Sequence, residues 1–78
     1  MWTVYVLRCG DGSLYCGITN DLPARLDAHA AGRGAKYTRG RGPFVVVYER
    51  RVRGKVRALR AEAKIKAMTR DQKLALIA

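Results

Sequence analysis

The residues best suited to chemistry in this chain are two tyrosines, an arginine, the single histidine and one isolated glutamate. Tyr5 and Tyr15 flank a glycine-rich turn in residues 3–17, TVYVLRCGDGSLYCG. A loop centred on Asp11 sets Tyr5 opposite Gly17 and Leu7 opposite Tyr15. The two phenols then become diagonal neighbours on one face of a hairpin, within reach of each other. A slip of one residue would send them to opposite faces. Gly17 carries no side chain and is expected to leave open space, a small pocket, beside the Tyr5 ring. Two phenols on one face either fill a thin core or share an active site, and the hairpin alone leaves both readings standing.

Arg25 and His29 are spaced i, i+4, so they project from one side of a helix about one turn apart. Leu26 beside them points to the core, which places both at the boundary with solvent. Glu62 is the only acid between Arg50 and Arg70, a stretch that holds nine basic residues. It either pairs with Lys66 one turn on, or is a carboxylate kept for a hard divalent cation, the ligand Mg²⁺ uses together with waters and substrate phosphate.

These residues need elements to hold them. Trp2 to Leu7 is rich in β-branched and aromatic residues and apolar on both faces, which predicts a central strand. RCGDGS is turn chemistry, with Asp11-Gly12 its strongest part, and Leu14 to Thr19 is the returning strand. Thr19, Asn20 and Asp21 offer caps for a helix with Pro23 in its first turn. That helix is expected to run to about Ala31, with Leu22, Leu26 and Ala30 on its inner stripe. A basic glycine-rich loop follows. Phe44 to Val52 is a third strand, continuously apolar through Tyr48 and so expected to be well buried. A second helix spans Lys55 to Ala67, with Val56, Leu59, Ala63 and Ala67 expected to face inward. Thr69 and Gln72 have the form of a capping box for a short third helix, anchored by Leu74 and Ile77. The predicted fold is a single α+β domain over residues 1–78. It is a three-stranded antiparallel sheet covered by helices, in the order β-β-α-β-α-α.

Composition narrows the partners. Sixteen Lys and Arg against six Asp and Glu give a net charge of +10. Most of the cations are arginine, which grips phosphate bidentately. Such a surplus on a small body points to a polyanion, nucleic acid first. No amphipathic face suits a membrane surface, and no run approaches the roughly 18 apolar residues of a membrane span. Cys9 and Cys16 read as free thiols of a reducing compartment. With no secretory segment, the expected location is the cytoplasm. Two Cys and one His cannot build a metal cluster.

Together the residues resemble the GIY-YIG nuclease superfamily, in particular its small stand-alone bacterial members. Thr3-Val4-Tyr5 stands at the first signature triplet and Tyr15-Cys16-Gly17 at the second. GITNDLPARLDAHAAGRGAKYT matches the family's continuation, with Arg25 as its helix arginine and His29 at a position that is His or Tyr. LRAEAKIK carries Glu62 at the place of the metal-binding glutamate. The first triplet lacks its Gly and Ile but keeps its tyrosine, and the Asn many members carry after the glutamate helix is missing.

The resemblance implies that the hairpin tyrosines are catalytic and that the chain is a metal-dependent DNA endonuclease, weakly sequence-specific or structure-selective, acting in DNA repair or recombination. A single Mg²⁺ or Mn²⁺ on Glu62 would serve the scissile phosphate, and Arg25 would stabilise charge in the transition state. A tyrosine, with Tyr5 the first candidate and Tyr15 the alternative, would take the proton of the attacking water. With an ordinary pKa near 10, it would need Arg25 and the metal to favour its ionised form. Tyr15 would position water or phosphate, and His29 would relay the proton. Gly17, Arg33, Lys36, Tyr37, Arg39 and Arg41 are the candidate nucleic-acid contacts, with DNA as duplex, branched or single-stranded partner and a protein partner for specificity. Two other readings stand beside it: a catalytically weak nucleic-acid-binding module or accessory subunit, and an RNA- or ribosome-associated basic protein.

Overall fold

The computed structural model describes all of residues 1–78. Its elements are β1 (Trp2–Arg8), β2 (Leu14–Thr19), α1 (Leu22–Ala30), β3 (Val45–Val52), α2 (Lys55–Lys66) and α3 (Arg70–Ile77). The strands form one antiparallel sheet in the order β2-β1-β3. The expected fold class and element order are therefore the observed ones. No helix is long and apolar enough to cross a membrane.

The hairpin has the expected register, with Tyr5 opposite Gly17 and Leu7 opposite Tyr15. Its turn explains why. Gly12 adopts φ 84°, a left-handed conformation that glycine takes without steric cost. Asp11 accepts from the Ser13 backbone N–H at 3.0 Å, and the Gly12 N–H donates to the Cys9 carbonyl at 2.9 Å. A turn closed this tightly leaves the strands one pairing. The α1 cap comes from Asp21, which accepts from the Ala24 N–H at 3.2 Å. The capping box of α3 is complete, with Thr69 and Gln72 each bonding the other's backbone.

The pleat divides the molecule into two unlike halves. On one face Val4, Val6 and Cys16 pack against Ala58 and Ile65 of α2, with Trp2, Ile18, Val52, Met68 and Leu76 around them. This is the hydrophobic core. The other face carries Tyr5 and Leu7, both fully buried, with His29 bonded to Tyr5 and Thr38 bonded to His29. A domain this small has little apolar area to spare, yet nearly half its sheet is covered by a polar and aromatic network.

Four expectations about burial are corrected. The α2 stripe of Val56, Leu59, Ala63 and Ala67 faces outward; Val56 is 62% and Leu59 45% exposed, and Ala63 and Ala67 are exposed too. The inward stripe is Ala58, Ala61, Ile65 and Met68. Both stripes have helical spacing, and only the second carries its bulky residues where they reach the sheet. β3 is an edge strand rather than a buried one, with Val45 51% exposed, because it pairs with β1 alone and its other edge meets solvent. Leu74 is exposed, and Leu76 takes its place against the core. On α1, Ala30 is exposed as well, and the inward residues are Leu22, Leu26 and His29.

Candidate active site

The hairpin and α1 bring four of the five expected residues together. The Tyr5 hydroxyl lies 2.9 Å from His29 Nε2. His29 Nδ1 lies 2.8 Å from the Thr38 hydroxyl, which itself donates to the Ala35 carbonyl at 3.1 Å. A threonine hydroxyl has one proton. Since that proton goes to Ala35, Thr38 accepts from His29, so Nδ1 carries the imidazole hydrogen. Nε2 is then the bare nitrogen and accepts from Tyr5. The chain runs one way: Tyr5 O–H to His29, His29 N–H to Thr38, Thr38 O–H to a backbone carbonyl.

Tyr15 packs edge-on against His29, with ring centroids 5.3 Å apart, and lies 6.4 Å from the Tyr5 ring. Phe44 closes the far side of the imidazole at 5.9 Å. Two glycines make the packing possible. A Cβ on Gly17 would stand 2.6 Å from the Tyr5 hydroxyl oxygen and 3.1 Å from the Tyr15 ring. The open space expected beside Tyr5 is therefore not there: Gly17 is buried, and its missing side chain makes room for the Tyr5 phenol itself. Gly34 does the same for His29, where a Cβ would collide with Nδ1.

The electrostatics bear on the protonation of the network. Burial pushes the Tyr5 hydroxyl above its ordinary pKa, and the opposing influence of Arg25 does not overcome it. Burial, then the Arg25 charge, pushes His29 below its usual value. At neutral pH both are uncharged, so Arg25 by itself does not ionise Tyr5. Ionising the phenol means handing its proton to Nε2, the acceptor already in place. Arg25 lies beside the Tyr5 and Tyr15 hydroxyls, which keep it firmly cationic. Its Nε–H is buried and has no acceptor, an unpaired donor at the mouth of the network.

Glu62 stands apart from these four. Its side chain is 19% exposed and pairs with Lys66 at 3.6 Å. It approaches Cys16, whose thiol is pushed up to about 11 by burial first and by Glu62 second. Cys16 and Tyr15 are successive residues of β2 and point to opposite faces, so Glu62 comes to β2 from the α2 side and the tyrosines from the α1 side. β2 is the sheet edge, where the two sides meet solvent. No three His, Cys, Asp or Glu residues gather anywhere as a ready-made metal cage.

The loop between α1 and β3 is no free charge run. Thr38 ties it to His29, and the Gly10 N–H donates to the Arg41 carbonyl at 2.6 Å. Tyr37 stacks on Tyr15 at 5.9 Å, and the Arg41 guanidinium lies 4.6 Å over the Tyr37 ring while pairing with Asp11. Arg33, Lys36 and Arg39 are exposed and make no ion pair. Sequence reasoning missed Thr38 and Gly34. The only signal was their place in the loop immediately after the helix that carries His29.

Residues 1–75 match the model of the GIY-YIG catalytic domain, and the chain belongs to that family of nuclease domains. Among its relatives, a UPF0213 protein of Nitratidesulfovibrio vulgaris is 51% identical over 78 residues, 100% of this chain and 71% of the relative. The UPF0213 protein OB0043 of Oceanobacillus iheyensis is 54% identical over 74 residues, 95% of this chain and 86% of the relative. The solution NMR structure of the UPF0213 protein BH0048 from Bacillus halodurans superposes with a TM-score of 0.64 at 46% identity, covering 99% of this chain and 83% of that one.

Proposed function

We propose that this protein is a divalent-metal-dependent DNA endonuclease, weakly sequence-specific or structure-selective, acting in repair or recombination. The observation that supports this most is the one-way hydrogen-bond chain from Tyr5 through His29 to Thr38, buried beside a cation with an unpaired donor. A protein that needed only to bind phosphate would gain nothing from burying a phenol against a bare imidazole nitrogen.

In this reading substrate binding opens Tyr5, fully buried in the free protein, to a water that attacks the scissile phosphorus as the bond to the 3′ oxygen breaks. As it attacks, its proton passes to the Tyr5 oxygen, and the Tyr5 proton passes to His29 Nε2. The imidazolium that forms keeps its Nδ1–H bond to Thr38. Arg25 meets the charge that builds on the phosphate oxygens. Tyr15 orients the water or the phosphate. Arg33, Lys36 and Arg39 hold the backbone on either side, a contact that carries little sequence information.

Glu62 fits a divalent cation by the chemistry of its donor set. A lone half-buried carboxylate, loosely paired at 3.6 Å, suits Mg²⁺ or Mn²⁺ completed by waters and substrate phosphate. When bound, such an ion supplies charge neutralisation at the phosphate and at the departing 3′ oxygen.

The test is a nicking assay on supercoiled plasmid and on branched and single-stranded oligonucleotides, with Mg²⁺, Mn²⁺ or EDTA, beside Glu62→Gln and Tyr5→Phe. Metal-dependent cutting lost in both variants is expected. If neither wild type nor variants cut while all still shift DNA on a gel, the protein is a binding module or accessory subunit instead.

A further inference from the structure

A cavity of about 550 Å³ lies on the α2 side of the sheet toward the β3 edge, away from Tyr5, Tyr15 and His29. Val52, Ile65, Met68 and Leu76 contribute an aliphatic floor. Arg50, Arg51 and Arg53 line it from β3 and its end, and Arg57, Arg60 and Lys64 line it from α2. No carboxylate lines the cavity, and none of the six cations makes an ion pair. Like charges held this close repel one another, so an anionic occupant relieves a cost the free protein carries.

The shape of the charge distinguishes between polyanions. Here cations come from two separate elements with an apolar floor between them. A single nucleic-acid strand offers one row of phosphates and one of bases, and its bases favour aromatic platforms; Tyr48 is the only aromatic side chain in the lining. A duplex has two rows of phosphates but would leave the aliphatic floor unmet. An amphipathic helix whose apolar ridge is bordered by carboxylates matches both features. Met68 in the floor adapts to whatever apolar side chain enters.

We propose that the groove between β3, α2 and α3 is a docking site for an acidic amphipathic helix of a partner protein. The helix lays leucine-like anchors on Val52, Met68 and Leu76, above the buried Ile65, with its carboxylates between the arginines of β3 and α2. The site is independent of the nuclease reading, and it lies where a bound partner leaves the tyrosine face open.

The test uses the full chain in EDTA and needs no cleavage. The probe is a fluorescein-labelled synthetic helix of Glu, Ala and Leu, with leucines at i, i+3, i+4 and i+7. One control has the same composition with its leucines dispersed, and a third arm is a short oligothymidylate. The patterned peptide is expected to bind roughly ten-fold or more tightly than the dispersed one and to move the methyl resonances of Ile65, Met68 and Leu76. Arg50→Glu combined with Arg57→Glu, both on exposed positions, is expected to weaken it by about ten-fold or more. Equal binding of the two peptides, or unmoved methyls, overturns the proposal. So does an oligothymidylate that moves the same methyls and displaces the peptide, which would make the groove a nucleic-acid seat.

Discussion

Replacing Thr38 by valine tests the proton network at a residue that touches no substrate. Valine keeps the shape of threonine and removes only the hydroxyl. His29 is 1% exposed, so its Nδ1–H would lose its acceptor at 2.8 Å with no water to replace it. A buried donor left unpaired costs about 1–3 kcal/mol, which sets the expected loss of stability in urea unfolding. The imidazole has one escape: it moves its hydrogen to Nε2. That removes the acceptor 2.9 Å from Tyr5 and sets two donors against each other. Outer-sphere partners that orient a working imidazole are typically worth about 10–100-fold in activity, and a fall in nicking rate of that size is expected under single turnover. Nitrogen-15 NMR of His29 should show the Nδ1–H tautomer in the wild type and its loss in Thr38→Val. Thr38→Ser, which restores the hydroxyl, should recover both the tautomer and most of the rate. A Thr38→Val protein with an unchanged tautomer and a rate within about two-fold of wild type would refute the one-way chain.

Gly17→Ala should destabilise the fold by about 1–3 kcal/mol through overpacking and silence nicking, because its Cβ would stand 2.6 Å from the Tyr5 hydroxyl oxygen; unchanged thermal stability would contradict that packing. His29 has a folded pKa lowered from 6.5, so below pH 6.5 the unfolded chain takes up a proton that the native protein resists, and stability falls as pH falls through that value. Urea midpoints measured from pH 7.5 to 5 should drop in the wild type and stay flatter in His29→Gln, a clear attribution because the chain has one histidine. Replacing Arg33, Lys36 and Arg39 together by alanine should lower the slope of log affinity for duplex DNA against log salt by about 2–3; an unchanged slope would place the phosphate contacts elsewhere.

Much of the site was legible because the hairpin is a local object. Asp11-Gly12 dictates the turn, the turn dictates the register, and the register sets Tyr5, Tyr15 and Gly17 together on one face. The i, i+4 spacing of Arg25 and His29 likewise needs only a helix. The face of α2 was not legible in the same way. Val56, Leu59 and Ala63 have as good a helical spacing as Ala58, Ile65 and Met68, and nothing local chooses between them. The choice belongs to the direction in which the chain leaves β3 at Gly54, whose φ is 81°, and to which stripe meets Val4 and Val6. Burial of β3 was misjudged for a related reason: an apolar run records a preference, and a strand at the sheet edge lacks the second neighbouring strand that would satisfy it.

Residue order alone determined the elements, the hairpin register, the helix caps and the excess of positive charge. These depend on turns, on pairings between near neighbours and on composition. Only the tertiary structure decided that the Tyr5 hydroxyl donates its hydrogen bond to His29, because the direction of that bond is dictated by Thr38, in a loop that must close over the imidazole. The structure also decided that Gly17 is filled by a phenol, that Glu62 meets β2 from the opposite side, and that six unpaired cations surround one apolar groove. Each of these is a contact between segments distant in sequence, where packing rather than local preference selects the outcome.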